Sequence, residues 1–456
     1  MTTAVLNPES LVDPVCGIIR RVREVLRPEG APHCYRGVTA EVSDARRLGD
    51  WPADRVSLGT TFDDPAGARI AAIAEGVERY CGNFLPADLP EPDYRTGSFD
   101  EVRRAGIPTV DLSMLPTYAP WQYHRSGFPY QQVTSDTPML WTKCRADDGS
   151  DAWLPASLIH LNWRTRALRS LPRVHHLNYA GIATGAGTDD AADRGLLEII
   201  ERDALEVWWH LDGPARGIAP DSVPGLKDSM AGCDLRYWLV EMPNEFAPAV
   251  AALVQDPATG VYAAGFSAHC DPVAAATKAV LEAVHTWTFT LGVQDADGWV
   301  FQAVEAGLMA RGLYLDHRED RSYAAASGEH YEKVIDLGAH VQVWLDPRLH
   351  PIARRFTEPG ETISIGDIPA TDVSSVRAEL SRRGHRIYTR DLTTSDIAQT
   401  TLRVVRTFVS GLVPNAPAAF GYYGMPRFGT AAVERGWRDS TPTAPSDFLL
   451  APAPHM

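Results

Sequence analysis

Lysine is nearly absent from this chain: Lys143, Lys227, Lys278 and Lys333 are the only four among 43 basic residues. A P-loop needs a serine or threonine directly after its lysine. The residues after these four are Cys144, Asp228, Ala279 and Val334, so that route to nucleotide phosphates is closed. The Rossmann fingerprint is missing too, because Gly181-Ile-Ala-Thr-Gly185-Ala-Gly187 carries its glycines in another order. That segment reads either as a turn before a helix or as backbone N–H groups able to meet phosphate. The six cysteines, Cys16, Cys34, Cys81, Cys144, Cys233 and Cys270, include no CxxC pair, which excludes a zinc ribbon or dithiol redox motif. Thiols so scattered in a long chain do not make a disulfide framework. No apolar run approaches the ~20 residues of a membrane span, and Met1 to Ser10 lacks the pattern of a signal peptide. The net charge of -15 argues against bulk binding to nucleic acid or anionic membranes. A cytoplasmic protein with neither as partner is expected. The arginines offer rigid bidentate contacts, although a GC-rich genome explains their abundance equally well.

The 456 residues read as one main domain, 51–430. A segment 1–50 would pack on it, and a Pro/Ala-rich tail, 431–456, would follow. Residues 56–82 read as a loop leading into a helix, and 83–140, rich in proline and aromatics, as irregular chain. Three apolar runs, Leu235–Val240, Ala249–Val254 and Val261–Phe266, suggest strands, the last two joined by a turn at Asp256–Gly260. Residues 371–384 suggest a helix, with strands at 386–390 and 402–409. Helices mixed with hairpins predict a mixed α/β (α+β) fold with mixed sheets, and not a doubly wound parallel sheet.

The strongest internal signal is a repeat. Glu75-Gly-Val-Glu78-Arg79 and Glu198-Ile-Ile-Glu201-Arg202 both read ExxER, and this spacing puts both glutamates on one helix face. A third helix adds Glu282. Asp64-Pro65 precedes Glu75 by the spacing that separates Asp271-Pro272 from Glu282, and Asp before Pro is a helix start. These helices are otherwise apolar near the glutamates and should face inward. Taken alone, the spacing is equally that of exposed Glu–Arg ion pairs. Buried carboxylates in excess need cations, and magnesium suits oxygen ligands shared with phosphates.

Arg69-Ile-Ala-Ala-Ile-Ala-Glu75-Gly-Val-Glu78-Arg79-Tyr80 resembles the first ATP motif of YcaO proteins. Gly181-Ile-Ala-Thr-Gly185 with Leu196-Leu-Glu198-Ile-Ile-Glu201-Arg202-Asp203-Ala204 resembles the second, and Lys278-Ala-Val-Leu-Glu282-Ala-Val-His285 the third. Flanking pieces, among them Leu154-Pro155-Ala156, Val404-Val405-Arg406 and Gly424 to Phe428, follow in order. The resemblance implies ATP- and Mg2+-dependent activation of a backbone amide oxygen in a ribosomally made precursor peptide, on a YcaO-type fold. Cyclodehydration of Cys, Ser or Thr to an azoline leads. Macrocyclic amidine formation, thioamidation and a non-catalytic scaffold remain as alternatives.

By the same resemblance, Glu78, Glu198, Glu201 and Glu282 would anchor magnesium. Arg69, Glu75, Arg79, Gly181, Gly185, Arg202, Lys278 and His285 would line the nucleotide site. For Arg79 and Arg202 an intrahelical ion pair is the equal alternative. Ala180 stands where the family commonly has asparagine, His285 where it has glutamine, and Ala71 at a position often filled by serine. Azoline-forming members often end in PxPxP; here Pro452-Ala-Pro454 precedes His455 and Met456, whose imidazole or terminal carboxylate would serve as a base. The chain reads as a stand-alone YcaO protein, with a separate leader-binding partner and a homodimer both left open.

Overall fold

A computed structural model describes residues 6–44, 55–83, 85–86, 89–90 and 92–456. The fold is mixed α/β, with three sheets that are antiparallel except for one parallel pair. Strands β1 (Ile19–Glu24), β2 (Tyr35–Val42) and β3 (Val56–Phe62) form a meander. A six-stranded sheet combines β4 (Tyr94–Gly97), β5 (Met139–Ala146), β6 (Asp151–Pro155), β7 (Ile182–Gly185), β13 (Ile387–Asp391) and β14 (Arg403–Val409). The third sheet runs β11-β10-β9-β8-β12, with β8 at Arg216–Ile218, β9 at Arg236–Glu241, β10 at Ala249–Gln255, β11 at Tyr262–Ala268 and β12 at Thr362–Ile363.

Three long helices lie on these sheets: α1 (Pro65–Asn83), α2 (Thr188–His210) and α3 (Pro272–Leu291). Asp271 caps α3 by accepting from Val273 N at 3.0 Å, with Pro272 at the first helical position. Asp64 does the same for α1, accepting from Gly67 N at 2.8 Å. Both helices press on a strand glycine. A Cβ on Gly59 of β3 would collide with Ala68 O of α1, and one on Gly265 of β11 with Ala279 O of α3. Glycine is needed at both positions because backbone meets backbone.

Two segments differ from the sequence reading. Residues 56–62, expected as loop, form β3, because pairing with β2 holds a Ser/Gly/Thr-rich run that carries little strand signal of its own. Within 83–140, Phe99–Arg104 is a helix with a Ser98/Glu101 capping box, an S-x-x-E signature readable in the sequence but not used. Among the described residues no helix is long and apolar enough to cross a membrane.

Residues 448–456 do not float. Phe448 packs among Tyr423 and Phe428. Trp209 Nε1 donates to Ala451 O at 2.7 Å, Trp344 Nε1 donates to Pro452 O at 2.7 Å, and Ala264 N donates to Pro454 O at 2.6 Å. The last bond satisfies part of the open edge of β11, an orphan row that would otherwise need water.

Candidate active site

Helices α1 and α2 present their glutamates to backbone N–H groups elsewhere in the chain. Glu75 Oε2 accepts from Leu58 N of β3 at 2.7 Å, and Glu78 Oε1 from Thr184 N of β7 at 2.6 Å. Glu198 Oε2 accepts from Gly181 N at 2.9 Å, and Glu201 Oε2 from Ala268 N of β11 at 3.4 Å. Glu282 on α3 meets Lys278 Nζ at 3.5 Å, and Lys278 also stands 3.9 Å from Glu201.

The carboxylates feel one another. Burial, then Glu198 and Glu75, push the Glu78 carboxyl up to about 8. Glu201, 1% exposed, is raised by burial, opposed by Arg202 and Lys278 and reinforced by Glu282 and Glu198. Lys278 stands near both Glu201 of α2 and Glu282 of α3, and Glu198 of α2 is among the groups that raise Glu78 of α1. Arg202 has its NH2 3.2 Å from Glu201 and 3.8 Å from Glu198. Lys278 is half-exposed, so its pairings are weak. Negative charge therefore exceeds nearby positive charge, and Glu201 Oε1 and Glu282 Oε2 are buried without a hydrogen-bond donor. Acceptors in that state fit a hard divalent cation. Among the described residues no three His, Cys, Asp or Glu groups close on one point as a metal cage. That suits an ion held by one or two carboxylates together with phosphate oxygens, as magnesium commonly is.

The other sequence candidates divide. Arg79 pairs with Glu75 at 2.6 Å and lies over the Tyr179 ring. Arg69 is corrected: it grips Glu9 with Nε and NH2 at 2.6 and 2.7 Å. It sits nine residues before Glu78, two and a half turns away and so on the opposite face of α1. Gly181 is corrected as an anion donor, because its N–H is committed to Glu198; its φ of 89° is what glycine allows. Gly185 packs against the start of α2, where a Cβ would lie 2.5 Å from Ala191 N. His285, pushed down to about 4 by burial, is neutral and takes the Tyr35 hydroxyl at 3.2 Å. Asn178, near the position where the family has its asparagine, turns back to accept from Ala180 N at 2.8 Å.

His455 lies against Arg202. Its Nδ1 donates to Ala264 O at 3.1 Å, so the ring's lone pair is on Nε2, where Arg202 NH1 takes it at 3.1 Å. Burial first, then Arg202, push it down to about 3. It positions Arg202. Met456 packs its side chain on the core cluster that includes Tyr35 and Phe289.

Arg406 was missed. It is 4% exposed, donates from NH1 only to the carbonyls of Asn178 and Tyr179, and leaves Nε without a partner. Burial pulls it down to about 10, with Glu198 opposing. The available signal was an arginine inside an apolar strand. It lines a cavity of about 460 Å3 together with Arg202, His176, Asn178, Ala180 and Tyr422.

The fold and this acidic, arginine-flanked site define the class. A sequence model of YcaO cyclodehydratases, described as ATP- and Mg2+-binding, matches residues 60–413. The chain belongs to the YcaO family. A Rhizobium leguminosarum bv. trifolii protein, described as an uncharacterized protein in the tfuA 3' region, is 25% identical over 249 residues, 51% of this chain and 54% of its own. A heterocyclase solved in complex with substrate and cofactor superposes with a TM-score of 0.69 at 18% identity, over 98% of this chain and 57% of that one. The YcaO protein of Methanopyrus kandleri, solved with AMPPCP and Mg2+, gives 0.53 at 16%, over 88% and 90%. At these identities the structural likeness is one of fold. The chain spans about half the length of the curated relatives it matches.

Proposed function

We propose that this protein uses ATP and Mg2+ to activate a backbone amide oxygen of a ribosomally made peptide, with cyclodehydration of Cys, Ser or Thr to an azoline as the leading outcome. The observation that carries this reading is that Arg202 lies against both Glu198 and Glu201 and Lys278 against both Glu201 and Glu282, with Glu201 Oε1 and Glu282 Oε2 buried and without a hydrogen bond. Magnesium would be held by one or two of Glu78, Glu198, Glu201 and Glu282 together with phosphate oxygens. Bound ATP supplies the phosphoryl group that turns the amide oxygen into a leaving group. Arg202 and Arg406, with free Nε groups on one cavity, hold the anionic end and are fixed before it arrives, which is where preorganised donors act. The tail keeps water from the Arg202 side. No enzyme nucleophile is required, and none is assigned. A scaffold without catalysis would have no use for the costly unpartnered carboxylates.

The test is mass spectrometry of a precursor peptide encoded beside this protein, after incubation with it and Mg-ATP. Loss of one water from the peptide supports an azoline or amidine. Exchange of oxygen for sulfur would point to thioamidation instead. An unchanged peptide, with and without candidate partner proteins, defeats the proposal.

A further inference from the structure

A second cavity, of about 440 Å3, lies under the tail on the other side of Arg202. Glu206, Trp209 and His210 of α2 line it, with His340, Asn415 and Pro452. Two of its acceptors lack hydrogen-bond donors, and the Nε of Arg202 on the same wall is a buried donor without a partner. Glu206 is 6% exposed, and its Oε2 has no hydrogen-bond partner. Asn415 Oδ1 is buried in the same condition. His210 Nε2 stands 3.2 Å from Glu206 Oε2 but outside hydrogen-bond geometry. His210 Nδ1 donates to the Leu449 carbonyl at 2.6 Å. His340 Nε2 accepts from Ala418 N at 3.0 Å and is likewise a lone pair already used. Arg202, the one arginine on this wall, is turned to Glu201, Glu198 and His455. The remaining lining, Leu205, Leu337, Ala416 and Ala418 among it, is apolar.

A buried carboxylate and a buried amide oxygen without hydrogen-bond donors, beside the apolar side chains of Leu205 and Leu337, match a group with several N–H donors and a positive charge on an aliphatic stem. We propose that this cavity seats a primary ammonium group of the peptide substrate, held by Glu206 Oε2 and Asn415 Oδ1. The inference rests on the peptide-modifying reading above for the identity of the occupant, and on geometry alone for its charge. The ammonium belongs either to a lysine side chain or to the peptide's own N-terminus. Such a contact sets which peptide is accepted, because a site built around a buried carboxylate rejects analogues that leave it unpaired.

The experiment uses the full chain without ATP or peptide, so that it does not depend on the proposed reaction. Binding of n-butylammonium, glycinamide and 1-butanol is measured by calorimetry on the wild type, Glu206→Gln and Glu78→Gln. The wild type is expected to prefer an ammonium probe over butanol by at least ~10-fold. Preference for n-butylammonium identifies a lysine-like stem, and preference for glycinamide an N-terminal amine. Glu206→Gln should abolish the preference, and Glu78→Gln should keep it. No preference in the wild type overturns the proposal and leaves Glu206 and His210 as a closed internal pair. Preference that survives Glu206→Gln, or that disappears in Glu78→Gln alone, overturns it too and assigns the amine to the glutamate cluster. If Glu206→Gln fails to fold, Asn415→Leu reads the second acceptor: a preference unchanged there is equally fatal. ATP turnover with a precursor peptide, measured separately, reports on the proposed function itself.

Discussion

Arg202 and His455, 253 residues apart in sequence, meet at 3.1 Å with the guanidinium donating and the imidazole accepting. The same imidazole is pinned from its other nitrogen by Ala264 O. A glutamine at 455 can still accept from Arg202, whereas an alanine cannot. We expect His455→Ala to lower kcat by roughly 10-fold, the scale of one hydrogen bond to a charged group, and His455→Gln to restore most of it. Equal loss in both variants, with the acidic limb of the pH–rate profile removed, would make the ring a base after all.

Nucleotide binding should depend on divalent metal. Triphosphate alone would enter a site where Glu78, Glu198, Glu201 and Glu282 already repel one another. Calorimetry with Mg2+ should show saturable ATP binding that EDTA lowers by at least ~10-fold. Equal affinity in the two buffers contradicts the site.

Arg406 makes stability and function pull apart. It is a buried cation whose described hydrogen bonds go only to neutral carbonyls. Replacing such a charge by an apolar side chain of similar length is often neutral or stabilising. Arg406→Met should therefore hold or raise Tm while weakening Mg-ATP binding by roughly 10-fold or more. A parallel loss of both would make the residue merely structural.

Acid should unfold the protein in two overlapping windows. Burial pushes His175 and His340 down to about 3 and His176 to about 4. Below pH ~6.5 the unfolded chain binds protons there that the folded chain refuses, so stability falls as pH drops from 6.5 towards 3. Glu245 is drawn down to about 2 by Arg427 and Arg435 against the opposing effect of burial. Its contribution is present above pH ~4.5 and is lost as pH falls from there towards 2. Denaturant titrations between pH 6 and 4.5 should show a fall of about 1.4 kcal/mol per pH unit for each histidine fully titrating in the unfolded state, partly offset by Glu78 and Glu201, whose raised carboxyls take up protons in the fold first. A flat profile would contradict the burial of these rings.

Gly265→Ala should cost roughly 1–3 kcal/mol or more, because the added Cβ meets the backbone of α3 and not a side chain that can swing away. Chemical denaturation measures it, and a neutral result would mean α3 sits farther from β11.

What was legible was whatever repeats at helical spacing or is written in local turn chemistry. The α1 and α3 starts at Asp64-Pro65 and Asp271-Pro272, the ExxER pairs, and the runs that became β9, β10 and β11 depend on neighbours a few residues away, so they can be read along the chain. The structure begins α2 at Thr188. Even Arg69 was excluded in principle, since nine residues of helix turn it away from Glu78. β3 was not legible, because its stability comes from β2 across a chain reversal.

The sequence by itself determined which helices carry carboxylates and that these are too many to bury without cations. Only the tertiary structure decided what each carboxylate faces. Glu201 meets Ala268 of β11 across 67 residues, Arg406 enters the cavity because β14 lies beside β7, and the cavity at Glu206 is bounded by the tail because the tail bonds to Trp209, Trp344 and Ala264. The reason is physical. Helix periodicity is set by hydrogen bonds four residues apart, whereas burial, charge pairing and the supply of donors to a buried oxygen depend on groups that only the folded chain brings together.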